Sequence, residues 1–255
     1  METRNFKALV IAAGMGRRMK GYTTDLPKCM LPVGEKPLLE HAFDTFRACG
    51  ATDLSIVCGY KKDKIKYPGL TFYENTDYEN NNILSSLFYA EEELTDEIVI
   101  SYSDIIFKKS VVEALLASEH DISLVVDVDW KRAYEGRTEH PLEEAESVVF
   151  KDGVEVAKIG KIFHDHAHVD GEFIGMLKLS ARGTELFKRR FHEAKARYAG
   201  APFQRAKVFE KAYVTDIIQE MVDQGDRVHC VTIIGGWREI DTIEDYERAG
   251  REFGS

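Results

Sequence analysis

The sequence predicts an α/β fold, a Rossmann-like and mostly parallel sheet flanked by helices, with a small β-rich excursion. Three observations predict it. Residues 7–13 (KALVIAA) form a near-continuous apolar run, as in a strand buried on both faces. Strand-like runs then alternate with helical patterns across short connections, which is the mark of βαβ units. Between about residues 129 and 170 the alternation gives way to short strand-like pieces separated by charged turns.

Each element has a local reason. Pro37 opens a helix whose apolar positions are Leu38, Leu39, Ala42, Phe43 and Phe46, and Gly50 stands just past its end. Strands follow at residues 54–58 and 70–73. Residues 83–94 read as a helix with Asn82 as its N-cap. Residues 98–102 are a strand, 111–117 a helix and 122–128 a strand. Within the excursion, residues 147–150 and 154–159 flank the turn Lys151-Asp152-Gly153. Residues 173–179 return as a strand. Helical patterns cover about 183–198 and 207–224, a last strand covers 228–234, and a helix from about 243 to 253 ends the series. Thr242 and Asp245 have the spacing of a capping box.

Composition bounds the function. The 255 residues carry 34 Lys+Arg against 44 Asp+Glu, a net charge of −10. That balance disfavours a nucleic-acid or anionic-membrane binder, which would show a basic footprint. It leaves room for an anionic small ligand held by a few local cations. No apolar run approaches the ~20 residues of a membrane span. The polar start, with no secretory apolar region, leads to the expectation of a cytoplasmic protein. A single domain over residues 1–255 is expected, with about 129–170 as the excursion. Cys29, Cys49, Cys58 and Cys230 have no metal-site spacing and read as buried reduced thiols.

The first strand runs into Ala12-Ala13-Gly14-Met15-Gly16-Arg17-Arg18-Met19, then Leu26-Pro27-Lys28. A Gly-x-Gly after a strand lets the backbone approach a bulky anion and offers its N–H groups to phosphate oxygens. The spacing is neither a dinucleotide fingerprint nor a Walker A loop. What strengthens the phosphate reading is the set of cations Arg17, Arg18 and Lys28 beside the glycines.

With Thr23, Leu31-Pro32-Val33-Gly34 and Lys36-Pro37-Leu38, this segment resembles the signature of nucleotidyltransferases that make sugar nucleotides and CDP-alcohols. Within that superfamily the sequence is most similar to phosphocholine and phosphonate (2-aminoethylphosphonate) cytidylyltransferases. The residues that carry the likeness are Gly59-Tyr60-Lys61-Lys62, Tyr73-Glu74-Asn75, Asn80-Asn81-Asn82, Ser85-Ser86-Leu87, Tyr102-Ser103-Asp104-Ile105, Gly171-Glu172-Phe173-Ile174-Gly175 and Trp237-Arg238-Glu239-Ile240-Asp241. Arg17 stands where hexose-1-phosphate enzymes usually have Thr, and Gly21 where they usually have Pro.

The resemblance implies CMP transfer from CTP to a small phosphonate or phosphocholine-like acceptor, with release of pyrophosphate. It implies Mg²⁺ as the cofactor, held by Asp104 and Asp241, with Arg18 and Lys28 as the catalytic cations. Hard carboxylate oxygens at strand ends suit such an ion. It places the nucleotide on Ala12, Ala13, Gly14, Gly16 and Arg17, with Asn81, Asn82, Ser85 and Ser86 helping to read the base. The excursion then lies on the substrate side. For the acceptor, Trp130, Tyr134 and Trp237 offer aromatic faces to an ammonium group. Glu172 and Asp216 offer it carboxylates, and Lys161 or Lys158 would hold the acceptor's anionic group. The expected partners are CTP and this small substrate, with a homodimer allowed for and no nucleic acid or membrane. Two other readings stand beside this one: a sugar-1-phosphate nucleotidyltransferase using UTP, dTTP or GTP, and a non-catalytic nucleotide-sensing module. His164, His166 and His168 would share one face of a strand, as in a transition-metal site, but a polar hairpin rim is the preferred reading.

Overall fold

The computed structural model describes residues 5–161 and 168–254. The chain begins β1 (Phe6–Ala12), β2 (Pro32–Val33), β3 (Lys36–Pro37), α1 (Leu38–Ala48), β4 (Ala51–Cys58), β5 (Leu70–Glu74), α2 (Ile83–Leu87), β6 (Ile98–Tyr102), β7 (Ile105–Phe107) and α3 (Lys109–Leu116). It continues β8 (Ile122–Asp127), α4 (Lys131–Tyr134), β9 (Ser147–Lys151), β10 (Glu155–Gly160), β11 (Gly171–Leu179), α5 (Ala181–Tyr198), α6 (Val214–Asp223), β12 (His229–Ile233), β13 (Trp237–Glu239) and α7 (Ile243–Phe253).

The apolar run at the start of the chain becomes β1, which lies between β4 and β6 and is parallel to both. Its alternate side chains go to opposite faces. Leu9 and Ile11 pack in a core with Leu84 and Leu87 of α2, Phe187 of α5 and Ile217, Ile218 and Met221 of α6. Ala8, Val10 and Ala12 face Leu39, Phe43 and Phe46 of α1 and Val111, Val112 and Leu115 of α3. Burial on both faces is what a continuous apolar strand requires. The nine-stranded sheet has the order β5-β4-β1-β6-β11-β8-β12-β10-β9. β11 runs antiparallel to both its neighbours β6 and β8, and β10 antiparallel to β12 and β9, while the other strands share one direction. Helices cover both faces, as the sequence predicts.

β11 also splits the sheet. Residues Met176 to Leu179 pair with β6, but Gly171 and Glu172 pair with Val148 and Ser147 of β9 on that same edge. The change falls at Gly175, whose φ is +82°. A Cβ there would lie 2.5 Å from Cδ2 of Tyr102, at the end of β6. Only glycine suits both the left-handed backbone and the approach of that ring. The excursion is therefore the β9–β10 hairpin, held away from β6 by the bend in β11, and a cleft opens in the gap.

Several expectations need correcting. The predicted helix over residues 83–94 stops as an α-helix at Leu87 and continues as a 3₁₀ turn, Phe88–Glu93, around a non-helical Ala90. The predicted helix over 207–224 begins only at Val214. The Asp216 carboxylate accepts from the Tyr213 N–H at 2.8 Å and so caps the helix there. Asn82 precedes α2 without a side-chain cap bond. Two short ribbons, β2–β3 and β7–β13, have no counterpart in the sequence reading. The Thr242–Asp245 capping box forms as the spacing predicts. The four cysteines are unpaired thiols. Among the described residues no helix is long and apolar enough to cross a membrane.

Gly175→Ala is expected to destabilise the fold by about 1–3 kcal/mol, from left-handed backbone strain and displacement of the Tyr102 ring. Urea unfolding of the variant measures this, and an unchanged midpoint would show that the bend tolerates a side chain.

Candidate active site

The cleft has a volume of about 390 Å³ and lies where β1 and β6 end and β11 bends. Such carboxyl-end crevices are the usual ligand sites of open α/β sheets. The sequence places its glycine loop here because β1 ends at Ala12. Gly16, with φ +58°, begins the 3₁₀ turn Arg17–Thr23. A Cβ on Gly16 would stand 3.1 Å from Cβ of Lys28, so the turn packs directly on the lysine. The loop is pinned from both sides. The Thr23 hydroxyl donates to the Gly16 carbonyl at 3.0 Å, and the Tyr60 hydroxyl reaches the carbonyls of Thr23 and Thr24 at 3.0 Å each.

At the centre, the Lys28 ammonium lies 2.8 Å from Oδ2 of Asp104 and 2.6 Å from Oδ1 of Asp241. Arg18 donates to the other oxygen of Asp241. Burial opposes the charge on Lys28, but the two carboxylates outweigh it and hold the ammonium above its ordinary value. Burial likewise opposes the charge on Asp241, yet Lys28 and Arg18 hold its carboxyl well below the usual carboxylate range. The two aspartates meet because of the β7–β13 ribbon. Glu239 pairs with Ile105, and the Ile240 N–H donates to the Asp104 carbonyl at 2.8 Å. Asp245 accepts from the Thr242 N–H at 3.0 Å and the Asp241 N–H at 3.3 Å, fixing the backbone that carries Asp241. Asp245 is in turn held by Arg137, whose Nε is 2.8 Å from its carboxylate.

The side of the cleft formed by β9 and β11 is acidic. Glu172 accepts from the Tyr134 hydroxyl at 2.5 Å through Oε1, while its buried Oε2 has no hydrogen-bond partner among the described residues. Glu146 accepts from the Thr215 hydroxyl at 3.2 Å. Burial pushes Glu146 up to about 7 and Glu172 up to about 8. Lys161, 3.1 Å from Glu144, brings a cation to the same side. Burial opposes its charge, but Glu146 and further anionic neighbours hold it above its ordinary value.

Of the residues proposed from sequence, the cleft brings together Ala12, Ala13, Gly14, Gly16, Arg17, Arg18, Lys28, Asn81, Asn82, Ser86, Asp104, Lys161, Glu172, Trp237 and Asp241. It does not bring Ser85, Trp130, Tyr134, Asp216 or Lys158. The Ser85 hydroxyl turns away to the Glu210 carbonyl at 3.1 Å. Trp130 is 2% exposed and packs edge-on against Tyr134 in a small separate core with Ala145 and Val169. Asp216 is spent on the cap of α6, and Lys158 is exposed on β10. Trp237 borders the cleft, but its indole N–H is committed to Asp127 at 2.7 Å. His164 and His166 lie outside the described residues, and the exposed His168 is not part of the cleft. The sequence reading missed Glu144, Glu146, Tyr102, Tyr213 and Glu239 as lining residues. The acidic run Glu143-Glu144-Ala145-Glu146 was the one visible signal for the first two.

A hard divalent cation fits the Asp104–Asp241 pair. Both offer carboxylate oxygens, and those oxygens already converge on one positive group, the Lys28 ammonium. His140, Glu239 and Asp241 also bring ligand atoms within 4.8 Å of one another. That grouping is less suited, because the Arg137 guanidinium stands 2.7 Å from His140 Nδ1 as a fixed positive charge.

Comparison with known proteins agrees with this architecture. CTP:phosphoglutamine cytidylyltransferase of Campylobacter jejuni subsp. jejuni is 28% identical over 252 residues, which cover 94% of this chain and 97% of that protein. Choline-phosphate cytidylyltransferase of Streptococcus pneumoniae is 33% identical over 106 residues, 40% of this chain and 46% of that protein. The solved structure of CTP:phosphocholine cytidylyltransferase from Streptococcus pneumoniae superposes with a TM-score of 0.71 at 20% identity, covering 97% of this chain and 98% of that one, and so shares the fold. The MobA-like NTP transferase domain matches residues 8–173, and the chain belongs to that family.

Proposed function

We propose that this nucleotidyltransferase is a cytidylyltransferase that moves CMP from CTP to a small phosphonate or phosphate acceptor carrying an ammonium group, and releases pyrophosphate. The observation that carries the reading is the polarity of the cleft. Arg17, Arg18 and Lys28 stand at the glycine loop, and the buried carboxylates Glu146 and Glu172 line the side formed by β9 and β11. A triphosphate suits the first group and a cationic acceptor head the second. The cytidylyl relatives from Campylobacter jejuni and Streptococcus pneumoniae support the choice of CTP. The full-length match to a phosphoglutamine enzyme adds a phosphorylated amino acid to the acceptors considered from the sequence.

In this reading an oxygen of the acceptor's phosphate or phosphonate attacks the α-phosphorus of CTP. The bond from that phosphorus to the bridging oxygen breaks, and pyrophosphate leaves with the electron pair. The acceptor is already ionised near neutral pH, so no residue has to remove a proton. Two anions must meet, and charge neutralisation is the main task. Lys28 and Arg18 supply it along the triphosphate. Asp104 and Asp241 would hold Mg²⁺, which when bound neutralises further phosphate charge. Glu172 and Glu146 orient the ammonium head, and Lys161 meets the acceptor's anionic group.

A pyrophosphate-release assay tests the reading, crossing CTP, UTP, dTTP, GTP and ATP with phosphocholine, 2-aminoethylphosphonate, phosphoglutamine and glucose-1-phosphate. CTP with an ammonium-bearing acceptor is the expected pair, with activity lost in excess chelator. Lys28→Ala is expected to lower turnover by roughly 10²–10³. Preference for glucose-1-phosphate with UTP, dTTP or GTP would overturn the assignment, and no release with any pair would favour a sensing module.

The acidic side predicts a pH dependence. Glu146 and Glu172 have raised values, so they are protonated below about 7 and about 8 and attract an ammonium only above them. The acceptor KM is expected to rise by roughly tenfold or more from pH 9 to pH 6, the loss of a charged hydrogen bond. Glu172→Gln should raise KM at pH 9 and flatten the profile. An unchanged profile in that variant would remove Glu172 from acceptor binding.

A further inference from the structure

Beneath the cleft wall that carries Asn81 and Ser86 lies Asn75, fully buried. Its amide is oriented by a group that can only donate. The Asp77 backbone N–H reaches Oδ1 of Asn75 at 2.9 Å, so that oxygen must be the acceptor and Nδ2 must point the other way. Nδ2 of Asn75 in turn can only donate. It reaches Oδ1 of Asn81 and Oγ of Ser86, both at 2.8 Å. Asn81 therefore turns its oxygen inward and returns one Nδ2 hydrogen to Oδ1 of Asn75 at 3.1 Å. The inward oxygen leaves the second Nδ2–H of Asn81 available outside this network. Ser86 accepts from Asn75, and among the described residues its own hydrogen has one recorded acceptor, Oδ1 of Asn81 at a long 3.5 Å, a weak bond that a better acceptor can replace.

We propose that Asn75 is a positioning residue that makes this wall donor-only and thereby selects cytosine over uracil. The proposal rests on the nucleotide reading above and extends it from which base is used to why. Cytosine presents acceptors at both O2 and N3. Uracil presents an acceptor at O2 but a donor at N3. A wall with two N–H and O–H donors matches cytosine and sets donor against donor for uracil. The backbone N–H of Asp77 fixes the polarity of the whole set, because a peptide N–H cannot reverse its role. An unmatched donor in a desolvated cleft is costly, which is how hydrogen-bonding sites reject near-isosteres.

Asn75→Asp tests this with little change in shape. The new carboxylate cannot donate, so Ser86 must direct its hydrogen inward, and the Asn81 amide, which meets residue 75 through both its oxygen and its nitrogen, loses the donor that fixes its orientation. The Ser86 donor leaves the wall, and the Asn81 donor is no longer held there. Calorimetric titration with CTP and with UTP reads the effect without any acceptor or turnover. The unmodified protein is expected to bind CTP about tenfold or more tightly over UTP. In Asn75→Asp that ratio should fall to near one, with the KM of the acceptor unchanged. A loss of packing alone would weaken both nucleotides and keep the ratio. Because a buried carboxylate can compromise folding, Asn81→Ala and Ser86→Ala serve as the second measurement, and each should narrow the CTP-to-UTP ratio. Equal binding of CTP and UTP by the unmodified protein would overturn the inference, and pyrophosphate release with either nucleotide would leave nucleotidyl transfer standing. A ratio retained in all the folded variants would also overturn it.

Discussion

The site depends on one ammonium group between two carboxylates. Lys28, Asp104 and Asp241 come from widely separated parts of the chain, yet the Lys28 Nζ is within 2.8 Å of both acids. None of these groups could be buried alone, because an unpaired charge in a low-dielectric site is strongly disfavoured. Together, Lys28 and Asp241 are each held in the charged form. The glycine loop, the β7–β13 ribbon and the start of α7 must all be in place for that pairing. Removing any one partner leaves the others in an environment that suits them only as a set.

The rest of the cleft is ordered around that centre by charge. Arg18 extends the positive side towards the loop, and burial outweighs the hydrogen bonds and nearby cations of Glu146 and Glu172 and keeps them poorly ionised on the side formed by β9 and β11. These acids are expensive in the empty protein. An incoming cation would relieve the cost, so binding energy is concentrated where the ligand's charge is complementary. The same logic applies to the donors on Asn81 and Ser86, which have partners on one side and none in the network on the other.

Local chemistry was legible in the sequence, and convergence was not. β1 could be read because seven adjacent residues state their burial by type, and the capping box on α7 because it spans four positions. The glycine loop and its cations are likewise contiguous. The meeting of Asp104 with Asp241 depends on two three-residue strands that no periodicity reveals. Without the family resemblance, neither aspartate could have been paired with the other. Trp130 shows the opposite failure. An aromatic near a site suggests a cage, but residue type does not say which side chains it packs on, and here Tyr134 and the small core claim it. The helix expected from residue 207 failed because apolar spacing continues through the 3₁₀ turn Phe209–Lys211, whereas the Asp216 cap sets the true start.

The bend in β11 has a mechanical side. Within the sheet, among the described residues, the strands β5, β4, β1 and β6 are joined to β8, β12, β10 and β9 only through the ladder of Met176, Leu177, Lys178 and Leu179 against β6. The core reinforces that ladder, because Leu9 and Ile11 of one half pack in the same cluster as Leu124, Val126 and Val148 of the other. The glycine loop stands on one half, and Glu146 and Glu172 stand on the other. The ladder and the shared core therefore set the width of the cleft. A molecule that touches both walls acts as a strut across the opening, and the distance between the walls selects its length.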